Sequence, residues 1–239
     1  MPLITPIPPP WDGSSPLWNG LGISRALRAG SLGLAFARDD GLFFTCARHV
    51  VGDGAAGGPL GLWTASAGDA GAWEATASIE VVAPSADEAD TFGHLDLALV
   101  TLHGLDASND FFGLRLNPTV VGLDVGATLR YRGCRRGWVN ATYYGPYTDA
   151  LGDAFGSLDL AGLDTTAMGV IGLDPNGYDP SVYEGDSGAA LWGKLPNGTG
   201  ACLGGLVGVS SVAPRGLILR FAEAFNRISM PAYKIKGAP

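Results

Sequence analysis

The sequence predicts an all-β protein, and three observations carry this prediction. Glycine is unusually frequent, with 37 of the 239 residues, and 16 prolines add further turn positions. Short apolar runs recur at intervals of roughly ten residues with Gly-rich turns between them, as in sandwiches and barrels. Apolar residues make up 46% of the chain and charged residues only 16%, which excludes a disordered chain or a coiled coil. An antiparallel barrel or sandwich with a sizeable core is therefore expected.

The first group of predicted strands lies in the first half of the chain. These strands cover residues 31–37, 42–47, 62–66, 73–82 and 96–102. A turn at 38–41 (Arg-Asp-Asp-Gly) connects the first two as a hairpin. Residues 1–30 start with a proline-rich stretch, and we predict that they form an arm packed on the body. The first β unit is thus expected to span 31–110.

The second group of predicted strands follows a connector at 111–122, which contains Asn117-Pro118. Its strands are expected at 126–133, 138–145, 165–172, 188–193, 202–210 and 217–221, in a unit that spans 123–239. Only two helices are predicted, a short turn at 47–51 and a C-terminal helix at 221–228.

Charge and cysteine content restrict the partners and the compartment. The formal net charge of −8 disfavours nucleic acid and anionic membranes as partners. The chain has no basic N-terminal leader and no apolar run of about 18 residues, so neither a signal peptide nor a membrane span is predicted. The three cysteines are odd in number and widely spaced, which favours neither a disulfide framework nor a zinc site. We therefore expect a cytoplasmic protein without a metal or another cofactor.

Three segments carry residues suited to nucleophilic catalysis. His49 follows an apolar strand, Asp96 opens another, and Ser187 lies in the turn Gly185-Asp186-Ser187-Gly188. A histidine held rigidly at a strand end suits a general base. Each segment also has an ordinary structural interpretation, as a satisfied histidine, a strand-start cap or a tight turn. Their joint occurrence in this order is the informative feature.

Together the three segments resemble the trypsin-like (chymotrypsin-fold) serine proteases, in an intracellular microbial or viral branch. The order His, Asp, Ser and the gaps between them are similar to those of the family, and the resemblance covers about residues 31–228. It implies two antiparallel six-stranded β-barrels with a short C-terminal helix. An α/β-hydrolase is disfavoured because residue 189 is alanine rather than the second glycine of Gly-x-Ser-x-Gly, and no histidine follows Ser187.

The resemblance also implies a role for each residue. Ser187 would be the nucleophile, His49 its base and Asp96 the group that orients the imidazole. The amides of Gly185 and Ser187 would form the oxyanion hole. The sequence departs from the secreted branch in two ways. No Ile-Val-Gly-Gly-like segment occurs between residues 15 and 35, and Val50 stands where that branch has a disulfide cysteine after the histidine.

Substrate-binding residues follow from the same resemblance. Ser181, six residues before Ser187, corresponds to the floor of the primary specificity pocket, and Gly208, Val209 and Ser210 correspond to the strand that pairs with the substrate main chain. A neutral Ser181 argues against selectivity for Lys or Arg. A shifted loop would place Asp179 at the floor instead.

The function that these residues predict is a serine endopeptidase acting through an acyl-enzyme on a peptide or protein substrate. Its natural role would be the processing of a specific protein partner. The alternative is a catalytically silent or structural module that binds a partner on the same fold, since a fold does not fix a function.

Overall fold

The computed structural model describes residues 12, 16–38, 41–52, 58–64, 72–84, 86–108, 124–134, 137–152, 155, 160–195, 198, 200–228 and 234–235. Within these ranges, no helix has the length and apolar character needed to cross a membrane. The predicted connector at 111–122 lies outside the described residues, and the predicted boundaries of the two units stay predictions.

The described residues form sixteen strands and a few short helices. The strands are β1 (Leu17–Trp18), β2 (Gly22–Arg25), β3 (Arg28–Ser31), β4 (Ala35–Arg38), β5 (Gly41–Ala47), β6 (Pro59–Thr64), β7 (Ala72–Val81), β8 (Leu97–Leu102), β9 (Ala107–Ser108), β10 (Thr128–Gly133), β11 (Gly137–Pro146), β12 (Met168–Gly172), β13 (Ala190–Lys194), β14 (Gly200–Val209), β15 (Arg215–Arg220) and β16 (Lys234–Ile235). The α-helices are α1 (Arg48–Val51), α2 (Ala89–His94), α3 (Asp149–Gly152) and α4 (Phe221–Arg227), and 3-10 helices cover Thr165–Ala167 and Pro180–Tyr183.

The first sheet is open and eight-stranded, in the order β16-β4-β5-β8-β7-β6-β2-β3, with every neighbouring pair antiparallel. It differs from the expected six-stranded barrel because β2 and β3, from the predicted arm, and β16, from the C-terminal end, join its edges. Burial explains the addition of β2, since Ile23 is fully buried and pairs with Leu62 of β6. A separate parallel pair joins β1 to β9.

The second sheet is a closed six-stranded barrel in the order β10-β11-β12-β15-β14-β13, as the sequence predicts. Register shifts interrupt three of its ladders: β11 with β12, β13 with β14 and β14 with β15. Such bulges increase local twist and help a sheet to close. The prediction of an all-β protein with two barrel-like sheets and a short C-terminal helix is confirmed.

Strand alternation explains how the two sheets pack together. In β8, Leu97 and Leu99 belong to a cluster shared with the second barrel, whereas Ala98 and Val100 face the interior of the first sheet. Successive side chains of a strand point to opposite faces, so β8 is buried on both sides. Trp192 of β13 contributes to the shared cluster from the other barrel. This double burial makes β8 a rigid support for the residue that precedes it, Asp96.

Candidate active site

His49 lies on α1, directly after the buried strand β5. Val50 and Val51 are each only 1% exposed, so they anchor the short helix in the core. The His49 side chain remains 47% exposed on the other side of the helix. The sequence therefore fixes the histidine through its apolar neighbours and leaves its imidazole accessible from solvent.

Asp96 lies beside His49 because strands β5 and β8 pair in register. Ala47 at the end of β5 pairs with Leu97 at the start of β8, so the residues just outside the ladder are neighbours. The Asp96 carbonyl accepts the Arg48 N–H at 2.9 Å, and Oδ1 accepts the His49 N–H at 2.9 Å. The first amides of a helix have no partner within the helix. Asp96 thus caps α1 from a different segment.

The second carboxylate oxygen of Asp96 determines the tautomer of His49. Oδ2 lies 2.7 Å from His49 Nδ1. An ionised carboxylate only accepts hydrogen bonds, so Nδ1 is the donor, and in the neutral imidazole Nε2 then carries the free lone pair. Asp96 adopts a left-handed backbone conformation, with φ of 49°. Aspartate tolerates this conformation better than most residues, and here it turns both the carbonyl and the carboxylate toward α1.

Ser187 lies in a turn bounded by two left-handed glycines, Gly185 (φ 87°) and Gly188 (φ 94°). A side chain on Gly185 would approach Cys134 Sγ to 2.8 Å, so both the backbone conformation and the close contact require glycine there. Within the part of the chain that the structure describes, the N–H groups of Gly185 and Ser187 donate to no other residue. Both amides are therefore candidates for binding a substrate oxygen.

The Ser187 turn and the His49 helix meet at strand β3. A Cβ on Gly30 would lie 2.6 Å from Val50 Cγ2 on α1 and 2.8 Å from the Ser187 carbonyl oxygen. A Cβ on Gly188 would lie 3.0 Å from the Ala47 nitrogen, two residues before His49. These close approaches bring the segments that carry His49, Asp96 and Ser187 together at the boundary of the two sheets.

Asp186 is fully buried behind the Ser187 turn. Its carboxylate packs directly on the backbone of Gly133 at the end of β10, where any Cβ would overlap Oδ1. Its backbone closes the turn, since the Asp186 N–H donates to Tyr183 O at 3.1 Å and Ala189 N–H donates to Asp186 O at 3.0 Å.

A cavity of about 370 Å³ opens beside Ser187. Three of the predicted substrate-binding residues, Ser181, Gly208 and Val209, line it. The fourth, Ser210, is fully buried, and its hydroxyl accepts the Val212 and Ala213 N–H groups at 3.1 Å each. Ser210 thus stabilises the turn after β14, and the neighbouring Ser211 lines the cavity instead.

Asp179 has a structural role near this cavity. Its carboxylate accepts the Ser181 N–H at 3.0 Å and the Ser181 hydroxyl at 2.8 Å, which caps the 3-10 helix at Pro180–Tyr183. The bond from the Ser181 hydroxyl, and after it the bond from the Ser181 N–H, holds the pKa of the Asp179 carboxyl below its usual range. Among the described residues that line the cavity, Asp179 is not found.

The sequence did not reveal several residues around the site, among them Tyr183, Glu184 and Ser31. Tyr183 and Glu184 line the cavity, and their place just before Gly185 in the sequence would have suggested it. Ser31 contacts the Ser187 turn from β3, which lies far away in the sequence and carries no motif.

Burial raises the pKa of Tyr178 to about 12, so its hydroxyl stays protonated and donates to the Ser210 carbonyl behind the cavity.

The three cysteines are buried thiols, and the described residues form no cluster suited to a metal ion. Cys46, Cys134 and Cys202 are buried free cysteines. Burial raises the pKa of the Cys46 and Cys202 thiols, which makes them inert. Across the described ranges, no group of three or more His, Cys, Asp or Glu side chains is arranged to hold a metal ion.

Comparison with known proteins gives a likeness in structure. No protein-family model matches the chain, and no curated protein matches its sequence. Thermobifida fusca protease A matches with a TM-score of 0.55 at 12% identity, over 94% of this chain and 100% of that one. A glutamic-acid-specific serine protease that uses a histidine triad in substrate binding matches with a TM-score of 0.55 at 13% identity, over 92% and 100% of the two chains.

Cellulomonas bogoriensis chymotrypsin matches with a TM-score of 0.51 at 15% identity, over 93% of this chain and 99% of that one. All three are proteases, and each match spans nearly the whole of both chains. At such low identity the likeness concerns the fold. The chain has the chymotrypsin-like fold of serine proteases.

Proposed function

We propose that this protein is a serine endopeptidase with His49, Asp96 and Ser187 as its catalytic residues. The observation that carries the proposal is the bond of 2.7 Å between His49 Nδ1 and Asp96 Oδ2, on a helix whose next residue meets the Ser187 turn across Gly30. The Asp96 carboxylate is only partly exposed and bonds both the backbone N–H and the Nδ1 of His49, while the imidazole stays accessible to solvent. This arrangement fits a general base better than a purely structural histidine.

The mechanism follows from the hydrogen bond between His49 Nδ1 and Asp96 Oδ2, which leaves Nε2 to act as the base. Ser187 Oγ attacks the carbonyl carbon of the scissile peptide bond while its proton passes to His49 Nε2. The imidazolium, stabilised by Asp96, then gives this proton to the leaving amine as the C–N bond breaks. Water then attacks the resulting ester in the same two steps, with its proton passing to His49 and from there to the departing Ser187 oxygen. This releases the acid and restores the serine.

The oxyanion of each tetrahedral intermediate would be stabilised by the N–H groups of Gly185 and Ser187. Fixed backbone donors aimed at developing charge are often the largest single contribution to catalysis, with a single donor worth about 10²–10³ in kcat. That neither amide donates within the described structure supports this assignment.

Peptides or proteins are the substrates that fit the open cavity beside Ser187. The half-buried segment of β14 at Gly208 and Val209, which lines the cavity, would pair with the substrate main chain. The cavity would take the side chain on the acyl side of the cut, the P1 residue. We propose that the natural substrate is a specific protein partner that the enzyme processes.

Labelling with a fluorophosphonate tests the proposal, because only a serine activated by a base reacts with this reagent. We expect stoichiometric labelling that maps to Ser187 and is lost in Ser187→Ala and His49→Ala. Ser78→Ala is the matched control, since it removes a serine hydroxyl from β7, which contributes no residue to the site. Peptide cleavage that survives in Ser187→Ala, or a native protein that takes no label, would contradict the proposal.

A further inference from the structure

Ser31 contacts three of the four residues in the Ser187 turn. Its N–H donates to the Ser187 carbonyl at 2.8 Å, and its hydroxyl donates to the Gly185 carbonyl at 2.8 Å. Its own carbonyl oxygen packs against the α-carbon of Gly188, where any Cβ would overlap it. Ser31 is fully buried at the end of β3, so its hydroxyl is held inside the protein and has little freedom to rotate to other partners.

The Gly185 carbonyl receives a second donor from the other barrel. Cys134 Sγ, just after β10, lies 3.2 Å from this oxygen and packs against the α-carbon of Gly185. A hydroxyl and a thiol, one from each sheet, therefore converge on a single peptide group.

This peptide group lies between the two peptide groups that carry the predicted oxyanion donors, and its own N–H, from Asp186, donates to the Tyr183 carbonyl. Gly185 has φ of 87° and no Cβ, so its two flanking peptide groups rotate easily unless something holds them. Bonds to the carbonyls of Gly185 and Ser187 restrict the ψ angle of each residue. The N–H groups of the same two residues are those assigned to the oxyanion hole.

We propose that Ser31 is a positioning residue for the oxyanion hole: its hydroxyl, with the Cys134 thiol, holds the Gly185 carbonyl and thereby presets the N–H groups of Gly185 and Ser187. This inference rests on the proposed function. No sequence motif marks Ser31, because it belongs to a strand outside the three segments that carry the proposed catalytic residues.

Ser31→Ala tests the role of the hydroxyl, and Ser31→Cys retains a weaker donor of similar size. Misplacement of a donor costs less than the 10²–10³ of its deletion, so we expect Ser31→Ala to lower kcat about tenfold with KM nearly unchanged. The inhibition constant of a peptide aldehyde should rise by about the same factor. The aldehyde adds to Ser187 Oγ, whose proton moves to His49, and its oxygen then occupies the oxyanion position. Ser31→Cys should recover part of both losses.

Thr64→Val is the matched control. Thr64 is a buried hydroxyl that donates to a backbone carbonyl, Ala72 O at 3.3 Å, on strand β6, and its loss should leave kcat and aldehyde affinity unchanged. If Ser31 had a purely structural role, Ser31→Ala would lower thermal stability as Thr64→Val does. The affinities for the aldehyde and for a peptide product would then fall by the same factor.

An NMR measurement keeps this proposal separate from the proposed function. In Ser31→Ala, the amide resonances of Gly185 and Ser187 should shift and broaden relative to the wild-type protein, while that of Gly172 in β12 stays in place. Unchanged resonances at both positions would overturn the positioning role, whether or not the protein is active. Absence of fluorophosphonate labelling in the wild type would instead overturn the proposed function.

Discussion

At the residue scale, Asp96 satisfies the N–H groups of Arg48 and His49 and also orients the imidazole, through the bonds of 2.7–2.9 Å described above. One side chain thus couples the local stability of α1 to the chemistry of His49. Because Oδ1 and Oδ2 have different partners, a substitution that preserves one oxygen separates the two roles.

Asp96→Asn makes this separation. An asparagine oxygen can still accept the His49 N–H, but its NH₂ group facing Nδ1 favours the tautomer with the proton on Nε2, which cannot act as base. We expect kcat to fall by about 10⁴, as in the corresponding change in the chymotrypsin-type triad, with a melting temperature close to that of the wild type. Asp90→Asn, on the exposed side of α2, is the control and should have full activity. A kcat within tenfold of the wild type would show that Asp96 does not orient the base.

Gly30 provides a second prediction at this scale, since its missing side chain allows α1 and the Ser187 turn to approach each other. Gly30→Ala would place a methyl group 2.6 Å from Val50 Cγ2 and 2.8 Å from Ser187 O, so the two segments must separate. We expect a loss of about 1–3 kcal/mol in unfolding free energy, typical of overpacking, and a larger proportional loss of kcat. Urea unfolding and peptide cleavage measure the two effects.

The controls for Gly30→Ala use the same chain. Gly58→Ala adds a methyl whose nearest neighbour is Arg25 Nη2 at 3.8 Å, an ordinary contact, and should change neither quantity. Val50→Ala in the Gly30→Ala background removes one of the two clashes and should restore part of the stability. Full activity in Gly30→Ala would show that the spacing of the two segments is not critical.

The sequence predicts the residues that carry motifs and misses those that act through contacts distant in the chain. His49, Asp96 and Ser187 were identifiable because each lies in a short pattern and the three occur in a known order. Ser31 and Gly30 were not, since their importance depends on the pairing of β3 against a turn about 155 residues later. Asp179 and Ser181 remained interchangeable in the sequence, whereas the bond of 2.8 Å between them assigns each a distinct position.

At the element scale, the loop before β12 links α4 to α2, which precedes Asp96. Asp164 forms an ion pair with Arg227 of α4, and its N–H donates to the His94 carbonyl at the end of α2 at 2.7 Å. Thr166 joins the same network, since its hydroxyl donates to Asp164 Oδ1 at 2.6 Å and lies 2.7 Å from Arg227 Nη2. The C-terminal helix therefore stabilises the segment that leads into the candidate active site.

Asp164→Asn tests this link through its pH dependence. The Thr166 side-chain bond, with the Arg227 charge, holds the pKa of Asp164 below its usual range. A lowered folded-state pKa stabilises the protein above the unfolded-state pKa of about 3.9, and this contribution disappears as pH falls through the lowered value. We expect Asp164→Asn to reduce the unfolding free energy by at most about 1 kcal/mol at pH 7, because the pair is partly exposed.

Urea unfolding of both proteins between pH 2 and pH 7 measures this contribution. The two stabilities should converge in acid, where the wild-type carboxyl is protonated and resembles the amide. A difference that persists unchanged at pH 2 would mean that Asp164 acts through packing rather than through its charge.

Strands with both faces buried were the elements best predicted from the sequence. The run at 42–47 became β5 (Gly41–Ala47), and the run at 217–221 became β15 with α4 directly after it. The helix α2 was missed because its six residues include Gly93 and three polar residues and show no amphipathic period. β2 and β3 were missed because the prolines of the first sixteen residues suggested an arm. Burial of Ile23 accompanies the pairing of β2 with β6, and β3 in turn pairs with β2.

At the scale of the whole molecule, the candidate site exists only where the two sheets meet. The first sheet supplies His49, Asp96 and the supporting strand β3, whereas the second barrel supplies the Ser187 turn and the cavity beside it. The cluster shared by Phe36, Leu97 and Trp192 holds the two sheets together. Neither sheet alone contains all three proposed catalytic residues. The proposed substrate selectivity therefore depends on the second barrel, whereas the proposed catalysis requires both sheets.

The chemistry of the cavity predicts the residue that the proposed protease would prefer at P1. Tyr183 and Leu206 present apolar surface, and Gly208 leaves the wall open. Burial of a Phe or Leu side chain is worth roughly 1.5–3 kcal/mol, so substrates with these residues at P1 should be cleaved fastest. Glu at P1 would face Glu184 with no basic or histidine side chain among the described lining residues. An Arg side chain at P1 would meet only the Glu184 carboxylate, which lies at an exposed position where solvent screens its charge. The Asp179 carboxylate is bonded to Ser181 instead.

Cleavage of matched peptides with Phe, Leu, Glu or Arg at P1 measures this preference as kcat/KM. We expect Phe or Leu to exceed Glu and Arg by about tenfold or more, since 1.4 kcal/mol corresponds to a factor of ten. Asp179→Asn is the control, and it should leave the ranking unchanged because its carboxylate caps the 3-10 helix rather than lining the cavity. Dominant cleavage after Arg that is lost in Asp179→Asn would show that this carboxylate reaches the P1 side chain, and dominant cleavage after Arg that is lost only in Glu184→Gln would assign the preference to the rim of the cavity.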